Sequence, residues 1–341
     1  MTSANLSIPD PRTPDPLSAP VLRWGVMGPG RIAEQFATSL LQRSTQRITG
    51  VSSRDGERAA AFAGQFGIDR AYGGYDEFLA SDTFDAVYIS TPHTFHRDCA
   101  IAALEAGKHV LIEKPLALNA AEGEEIARAA ESRGLFAMEA MWPRFLPVAD
   151  SIRQLLEGGT LGEIQHLRAD LGEYFAPVPA HRLFAPELGG GSPLDLGVYL
   201  TALASFIFGE DPRDLSVTGT RAFTGVVADA AFTLSYPAGS AQLYTTLDAR
   251  TPTAAFVKGS RATLRIASPF YAPSELTLSS NDGTATVTRD FGPQSQADGL
   301  CYEAAAVARA VDAGLTSSEL LPLRESIASL RVLDEIEARI L

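Results

Sequence analysis

Residues 23–37, "RWGVMGPGRIAEQFA", decide how the first half of the chain is read. A short apolar run through Met27 gives way to Gly28 and Gly30 in a GxGxxA frame completed by Ala33, and an amphipathic pattern begins at once. Strand, glycine turn and helix in immediate succession let bare backbone N–H groups and a helix N-terminus cradle a pyrophosphate. Glycine at 28 permits the tight turn and glycine at 30 the close approach. Arg31 and Ile32, opening the helix, join them as cofactor-binding candidates. A bound dinucleotide is expected.

The rhythm around this stretch supports that reading. "VLRWGVM", "RITGVSS", "FDAVYIS", "KHVLIE" and "GLFAME" alternate with Ala-rich amphipathic segments between Val21 and Ala140, the βαβ pattern of a parallel sheet. After "MWPRFLP" come helices through "ADSIRQLLEGG" and "PLDLGVYLTALASFIFG", then alternating runs such as "AAFTLSYPAGSAQLYTTL" and "ATLRIA" with a Pro/Gly hairpin turn, and two closing helices near 300–313 and 323–340. The expected fold class is α/β: an N-terminal Rossmann doubly wound parallel sheet, residues 21–142, followed by a C-terminal α+β domain, residues 143–341, with an open-faced, largely antiparallel sheet. Residues 1–20, with five prolines, no apolar core and no basic start, read as a disordered arm and not as a signal peptide.

A length of 341 residues supports two domains, each with a full core. The net charge of −13, from 41 acidic against 28 basic residues, disfavours nucleic acid and anionic membranes as partners, so an anionic ligand must be held locally. Two distant cysteines, Cys99 and Cys301, suggest neither a disulfide framework nor zinc. "YLTALASFIF" is too short to span a bilayer and reads as a buried helix. A cytoplasmic location is expected.

Which dinucleotide binds depends on the end of the second strand, where an acid would accept the ribose hydroxyls of NAD. The chain reads "VSSRD" there. Ser53 and Arg54 offer a hydroxyl and a bidentate guanidinium suited to a 2′-phosphate, and Asp55 stands one place too late, so NADP is favoured over NAD. "YISTPHTFHRDCA" places a turn, Thr91, Pro92 and His93, at the carboxyl edge of the sheet, where it backs the cofactor while His96 caps or packs. The two histidines lack nearby supporting ligands, so no metal is expected. "KHVLIEKP" ends a strand in Glu113, Lys114 and Pro115, putting a lysine at the edge that carries the glycine loop. In "AMWPRFLP", Trp142 and Arg144 stand at the crossing between domains; Arg144 either steadies cofactor or substrate or pairs with a carboxylate.

"GGGSPLDLGVY", residues 189–199, sets three glycines before a Ser-Pro pair and spaces Asp195 and Tyr199 one helical turn apart. Ser192 at N-cap, Pro193 at N1 and Asp195 at N3 make a capping-box-like arrangement, and the helix is apolar nearly all round. Tyr199 is then either a satisfied core tyrosine or a catalytic phenol. The glycines either pass close to substrate or form a plain flexible loop.

These motifs, with "SSRD", "TPHTFH", "AGKHVLIEKPLAL" and "EAMWPRF", stand in the order and spacing of the glucose–fructose oxidoreductase/inositol dehydrogenase (Gfo/Idh/MocA) family, which the chain resembles over nearly all its length after Ala19. "EAMWPRF" and "GGGSPLDLGVY" look most like the branch of dimeric dihydrodiol dehydrogenases and NADP-dependent D-xylose dehydrogenases; many relatives place histidine where this chain has Tyr199. The resemblance implies hydride transfer between NADP and a carbinol or carbonyl carbon of a sugar, polyol or cyclic trans-diol. Lys114 and Tyr199 would handle the proton, with Asp195 beside them, and Lys114, Trp142, Arg144, Asp195 and Tyr199 would line the substrate site. It further implies a homodimer, or dimer of dimers, through the sheet's outer face, which is expected to be apolar and in need of cover. Two alternatives stay open: a keto-sugar (anhydrofructose-type) reductase, and a non-catalytic dinucleotide-sensing regulator on the same fold.

Overall fold

The computed structural model describes residues 6–179, 181–292 and 296–341. The chain divides into two compact units. One comprises Pro14–Phe145 and Ser295–Leu330, the other Met1–Thr13, Leu146–Gln294 and Arg331–Leu341.

The first unit alternates β1 (Arg23–Met27), α1 (Arg31–Arg43), β2 (Arg47–Ser52), α2 (Gly56–Phe66), β3 (Arg70–Tyr72), α3 (Tyr75–Leu79), β4 (Ala86–Ile89), α4 (His96–Glu105), β5 (His109–Glu113), α5 (Ala120–Arg133) and β6 (Ala137–Ala140). Its six strands are all parallel in the order β3-β2-β1-β4-β5-β6. The order therefore reverses between β1 and β4, the place where such sheets open a crevice for ligand. Continuous burial of β4 and β6 and near-continuous burial of β5 reflect helices on both faces. Under α1, Phe36 stacks on Tyr88 with centroids 3.8 Å apart, and Trp24 meets Phe36 edge-on at 5.6 Å. The three-residue edge strand β3 is too short to carry a period and escaped the sequence pattern.

The second unit contains α6 (Pro147–Glu157), β7 (Ile164–Gly172), α7 (Val198–Phe208), then β8 (Asp214–Arg221), β9 (Val227–Ser235), β10 (Ser240–Thr246), β11 (Ala255–Gly259), β12 (Ala262–Ile266), β13 (Leu276–Ser280) and β14 (Thr286–Arg289). The eight strands run β14-β13-β12-β11-β7-β10-β9-β8, antiparallel except where β7 lies parallel to β10. Tyr236 and Gly239 close the β9–β10 hairpin at the expected Pro/Gly turn. On one face Leu167, Ala169, Leu243, Phe232 and Val257 are buried. The other face corrects an expectation. It presents Arg168, Asp170, Thr218, Thr233 and Gln242, with Tyr244, 37 % exposed, the one large hydrophobic side chain there in the exposed class. The open face is polar, because the alternation places threonine, serine and charge outward on almost every strand.

The C-terminal segment departs from a simple split near residue 142. Helix α8 (Gln296–Asp312) packs on α1 in the first unit, where Ala304, Ala305 and Ala308 are buried and Ser39 accepts the Cys301 amide at 2.9 Å; α9 (Leu323–Arg339) follows and contributes residues to both units. Small residues on both helices permit that approach, and no local periodicity announces it.

The proline-rich arm is also corrected, from disordered to fastened. Residues 1–5 lie outside the described residues, but from Leu6 onward the segment is held. The Arg12 amide donates to Asp150, Ser151 donates to the Pro9 carbonyl at 2.8 Å, and Gln154 to that of Asp10 at 2.8 Å. Asp15 caps the 3-10 turn Pro16–Ser18, and Arg309 donates to the Asp15 carbonyl at 2.7 Å. An extended proline segment has no hydrogen bonds of its own and little conformational freedom to lose, so side chains from α6 and α8 suffice to fix it.

Candidate active site

The first unit supplies a dinucleotide edge. Gly28, at φ +96°, closes the turn after β1; its amide donates to Ser52 and its carbonyl accepts from Ser90, tying the ends of β1, β2 and β4 together. A Cβ at Gly28 would stand 2.9 Å from the Thr91 nitrogen, so the glycine loop and the Thr91 turn touch backbone to backbone. Gly30 is the N-cap of α1 and offers no side chain to the amides of the first turn; a Cβ there would meet no protein atom within 4 Å. Exposed Arg31 and half-buried Ile32 open that turn. Uncapped amides, clear space and a helix dipole fit a pyrophosphate.

At the end of β2 the residues sort by partner. Asp55 caps α2, accepting from the amides of Glu57 and Arg58 at 3.0 and 3.4 Å, and buried Ser53 accepts the Asp55 amide at 3.2 Å. The one acid that could have taken a ribose hydroxyl is thus spent on the helix. Arg54 lies over the Phe95 ring at 4.8 Å. Arg58, which the sequence pattern did not single out, reaches the Pro29 carbonyl of the glycine loop at 3.4 Å. Both guanidiniums oppose the burial that raises the Tyr75 hydroxyl. The signal for Arg58 was available, four residues beyond Arg54 and in the first turn of α2.

Lys114 follows β5 on a loop clamped from three sides. Glu113 is buried; its carboxylate accepts the Tyr88 hydroxyl at 2.5 Å and the Lys114 amide at 3.2 Å. Glu139, at the end of β6, accepts the Leu116 amide at 2.9 Å. His96 is fully buried, with Nδ1 2.8 Å from the Pro115 carbonyl and Nε2 2.9 Å from that of Thr91. Burial pushes its pKa down despite both carbonyls, and a neutral imidazole donates to one of them. His96, with both ring nitrogens at carbonyls, holds the Thr91 turn against the lysine loop. His93 is buried beside it, the rings 5.6 Å apart and perpendicular in tendency.

Burial raises the carboxyls below the lysine. Glu113 is pushed up to about 7, with the Tyr88 hydroxyl and Lys114 pulling it back; Glu139 is raised too, against Ser326, the Leu116 amide and Lys114. Glu303 on α8 lies well above the carboxylate range through burial and then repulsion from Glu113 and Glu139, and neither oxygen has a hydrogen-bond partner among the described residues. Trp142 and Arg144 are buried in the 3-10 turn Trp142–Phe145. Arg144, for which a ligand and a carboxylate both stood open, donates Nη2 to the Leu320 carbonyl at 2.8 Å and to Glu325 at 3.0 Å.

The second unit carries Asp195 and Tyr199, both buried. No capping box forms. Ser192 is already helical (φ −65°, ψ −34°) with no side-chain cap, and Pro193–Gly197 make a π-helical turn running into α7. A π turn widens the coil by one residue and recurs at functional sites. Freed from capping, the Asp195 carboxylate accepts from Arg182 at 2.9 Å. The Tyr199 ring lies 5.2 Å from that of Tyr271, an aromatic neighbour 72 residues downstream that no local spacing could reveal. Among the described residues no group of three or more His, Cys, Asp or Glu side chains is arranged to hold a metal.

The comparisons with known proteins bear on this arrangement directly. The model of an oxidoreductase family with an NAD-binding Rossmann fold matches residues 22–141, and that of the GFO/IDH/MocA C-terminal domain matches residues 150–265. The chain belongs to the Gfo/Idh/MocA family. Among its relatives, trans-1,2-dihydrobenzene-1,2-diol dehydrogenase of Bos taurus is 35% identical over 326 residues, 94% of this chain and 97% of that protein. A 3-ketoreductase of Actinomadura kijaniata, in complex with NADP and TDP-benzene, is 26% identical with a TM-score of 0.81, over 94% of this chain and 98% of its own. An aldose-aldose oxidoreductase of Caulobacter crescentus, complexed with glycerol, shares the fold at a TM-score of 0.84 and 23% identity, over 93% and 96%. As a Gfo/Idh/MocA member the chain is an oxidoreductase whose first unit is an NAD(P)-binding Rossmann fold.

The raised Glu113 carboxyl makes stability depend on pH. Its pKa is near 7 in the folded chain and 4.5 in an unperturbed one, so between those values the folded state holds the extra proton and stability falls as pH rises. Glu113→Gln keeps an acceptor for the Lys114 amide and removes the titration. Its stability relative to wild type, from urea unfolding across a pH series, should improve by up to about 3 kcal/mol between pH 4.5 and 8. A difference that stays constant over that range would show that Glu113 ionises without penalty.

Proposed function

We propose that this oxidoreductase moves a hydride between NADP and a carbinol or carbonyl carbon of a sugar, polyol or cyclic trans-diol. The substrate class rests on the name of the cattle relative, a diol dehydrogenase aligned along 94% of the chain. The choice of NADP rests on one observation: Asp55 is consumed in capping α2, while Arg54 and Arg58 stand on either side of it as donors for a 2′-phosphate. The solved ketoreductase holds NADP and supports the same choice.

When bound, the nicotinamide gives or accepts the hydride. The chain's own residues do the rest. The Gly28–Gly30 loop and the first turn of α1 hold the pyrophosphate, and the Thr91–His93 turn backs the cofactor. The Tyr199 hydroxyl exchanges the proton with the substrate oxygen. A free tyrosine has a pKa of about 10, and burial alone would raise it, so a positive charge has to favour the phenolate; Lys114 is that charge. The same pair serves reduction in reverse, and the 26% identity to a 3-ketoreductase favours a keto-sugar as the second substrate to try. Both cysteines are buried and unpaired, which suits a reducing, cytoplasmic setting.

We also propose a homodimer through the open face of the second sheet. Its polar, threonine-rich surface with Tyr244 near the middle favours a hydrogen-bonded and wet contact over a greasy one. Light scattering at micromolar concentration should give about twice the chain mass; a monomer refutes the proposal.

Two variants test the chemistry. Arg54→Ala and Arg58→Ala should each raise the KM for NADP at least about tenfold and leave that for NAD nearly unchanged, since a charge-assisted hydrogen bond to phosphate is worth roughly 1.5–3 kcal/mol. Equal losses with both cofactors would make the arginines structural. Tyr199→Phe should lower kcat by about 10²–10⁴ with little effect on NADP binding or Tm, measured on a panel of sugars and cyclic diols. Retention of half the wild-type kcat, with a deuterium isotope effect showing chemistry to be rate-limiting, would return Tyr199 to the core.

A further inference from the structure

Asp195 poses an electrostatic difficulty. It precedes Tyr199 by four residues on one continuous helical stretch, and an ionised carboxylate there opposes formation of a phenolate. The structure supplies a counter-charge from outside the helix. Arg182 donates Nη2 to the Asp195 carboxylate at 2.9 Å; the Asp195 side chain is 7 % exposed and that of Arg182 52 %.

Arg182 is not on a slack loop. It opens the 3-10 turn Arg182–Phe184, which His181 Nδ1 caps by accepting the Leu183 amide. The turn is fastened to the glycine run: the Gly191 amide donates to the Leu183 carbonyl at 2.9 Å and the Gly190 amide to that of Ala185 at 3.1 Å. A Cβ at Gly190 would stand 2.7–2.9 Å from the carbonyls of Leu183, Arg182 and Ala185, so only glycine lets the two segments lie together. Rings of His181 and Phe184, 6.3 Å apart, and of Phe223, 5.9 Å from Phe184, brace it further. The glycines of "GGGSPLDLGVY" thus fix the distance between a cationic turn and an acidic one. Other titratable groups near this junction are Tyr271, against the Tyr199 ring, and Glu337 of α9, which lies by Gly191 and is paired with Arg221.

We propose that Arg182 is a positioning residue for the proton transfer: by neutralising and orienting Asp195 it removes the carboxylate's opposition to the Tyr199 phenolate. The proposal rests on Tyr199 as the proton-exchanging group only for its catalytic consequence; the effect on Tyr199 ionisation stands by itself. In Arg182→Gln the Asp195 carboxylate loses this cation and disfavours the phenolate more strongly, in Arg182→Lys a cation is restored, and in Arg182→Gln/Asp195→Asn both charges are gone.

The experiment reads Tyr199 directly. Full-length protein carrying ¹³Cζ-tyrosine is titrated by NMR without cofactor, the Tyr199 resonance being assigned by its loss in Tyr199→Phe. Arg182→Gln should move the Tyr199 midpoint alkaline by about half to one pH unit, and Arg182→Lys and the double variant should bring it back towards wild type. The basic limb of the kcat profile with NADP and trans-cyclohexane-1,2-diol or D-xylose should shift in parallel. An unchanged midpoint in Arg182→Gln overturns the proposal, as does an alkaline shift of equal size in the double variant, which would mean that Arg182 acts without Asp195. Full activity in Tyr199→Phe would instead sink the assignment of Tyr199 as the proton group while leaving the titration able to decide the role of Arg182.

Discussion

The loop that carries Lys114 depends on a clamp of buried polar groups, and the geometry of the cofactor edge depends on that loop. His96 bridges the carbonyls of Thr91 and Pro115, Glu113 takes the Tyr88 hydroxyl and the Lys114 amide, and Glu139 takes the amide of Leu116. Because Gly28 lies backbone to backbone against Thr91, the clamp links three strand ends, β1, β4 and β5, to one lysine. Each buried carboxyl costs desolvation, which shows as a raised pKa, and the hydrogen bonds recover only part of it. A less exacting loop could be held by apolar packing. What the polar clamp adds is direction, since hydrogen bonds fix where a backbone turn points and dispersion does not.

The sheet, the glycine loop and the lysine edge were legible in the sequence because each is encoded within a dozen residues. Strand periodicity, a GxGxxA frame and a Glu-Lys-Pro strand end are local signals, and the structure places all of them on one carboxyl edge. Local reasoning failed where a side chain had two lawful partners. "SPLD" satisfies a capping box on paper, but Ser192 is drawn into the helix and Asp195 turns to Arg182, thirteen residues away across a glycine turn. Arg144 meets Glu325, 181 residues on, a partner that no local pattern could name. The return of α8 to the first unit and the fastening of the proline arm are likewise facts of long-range packing. Small residues and extended prolines permit them without announcing them.

Two buried acids, one in each unit, are handled by opposite means. Asp195 is buried and accepts from an arginine brought to it by a braced turn. Glu303 has no cation or donor among the described residues, and burial with two neighbouring carboxyls drives it towards the neutral acid. A protein with a net charge of −13 has acid to spare, and the choice between pairing and protonation depends on whether a cation can be delivered at the right distance.

That choice has a consequence for Lys114. Were Glu113, Glu139 and Glu303 all ionised, three buried negative charges would repel one another. Protonating Glu303 first removes the member with neither a hydrogen bond nor a cation to favour its charge. Glu113, pushed up to about 7 by burial against the pull of Tyr88 and Lys114, is a carboxyl whose charge changes near neutral pH. A proton exchange on Glu113 changes the field at Lys114, on the residue that also accepts its backbone amide. Loop position and loop charge at Lys114 are therefore controlled by the same side chain.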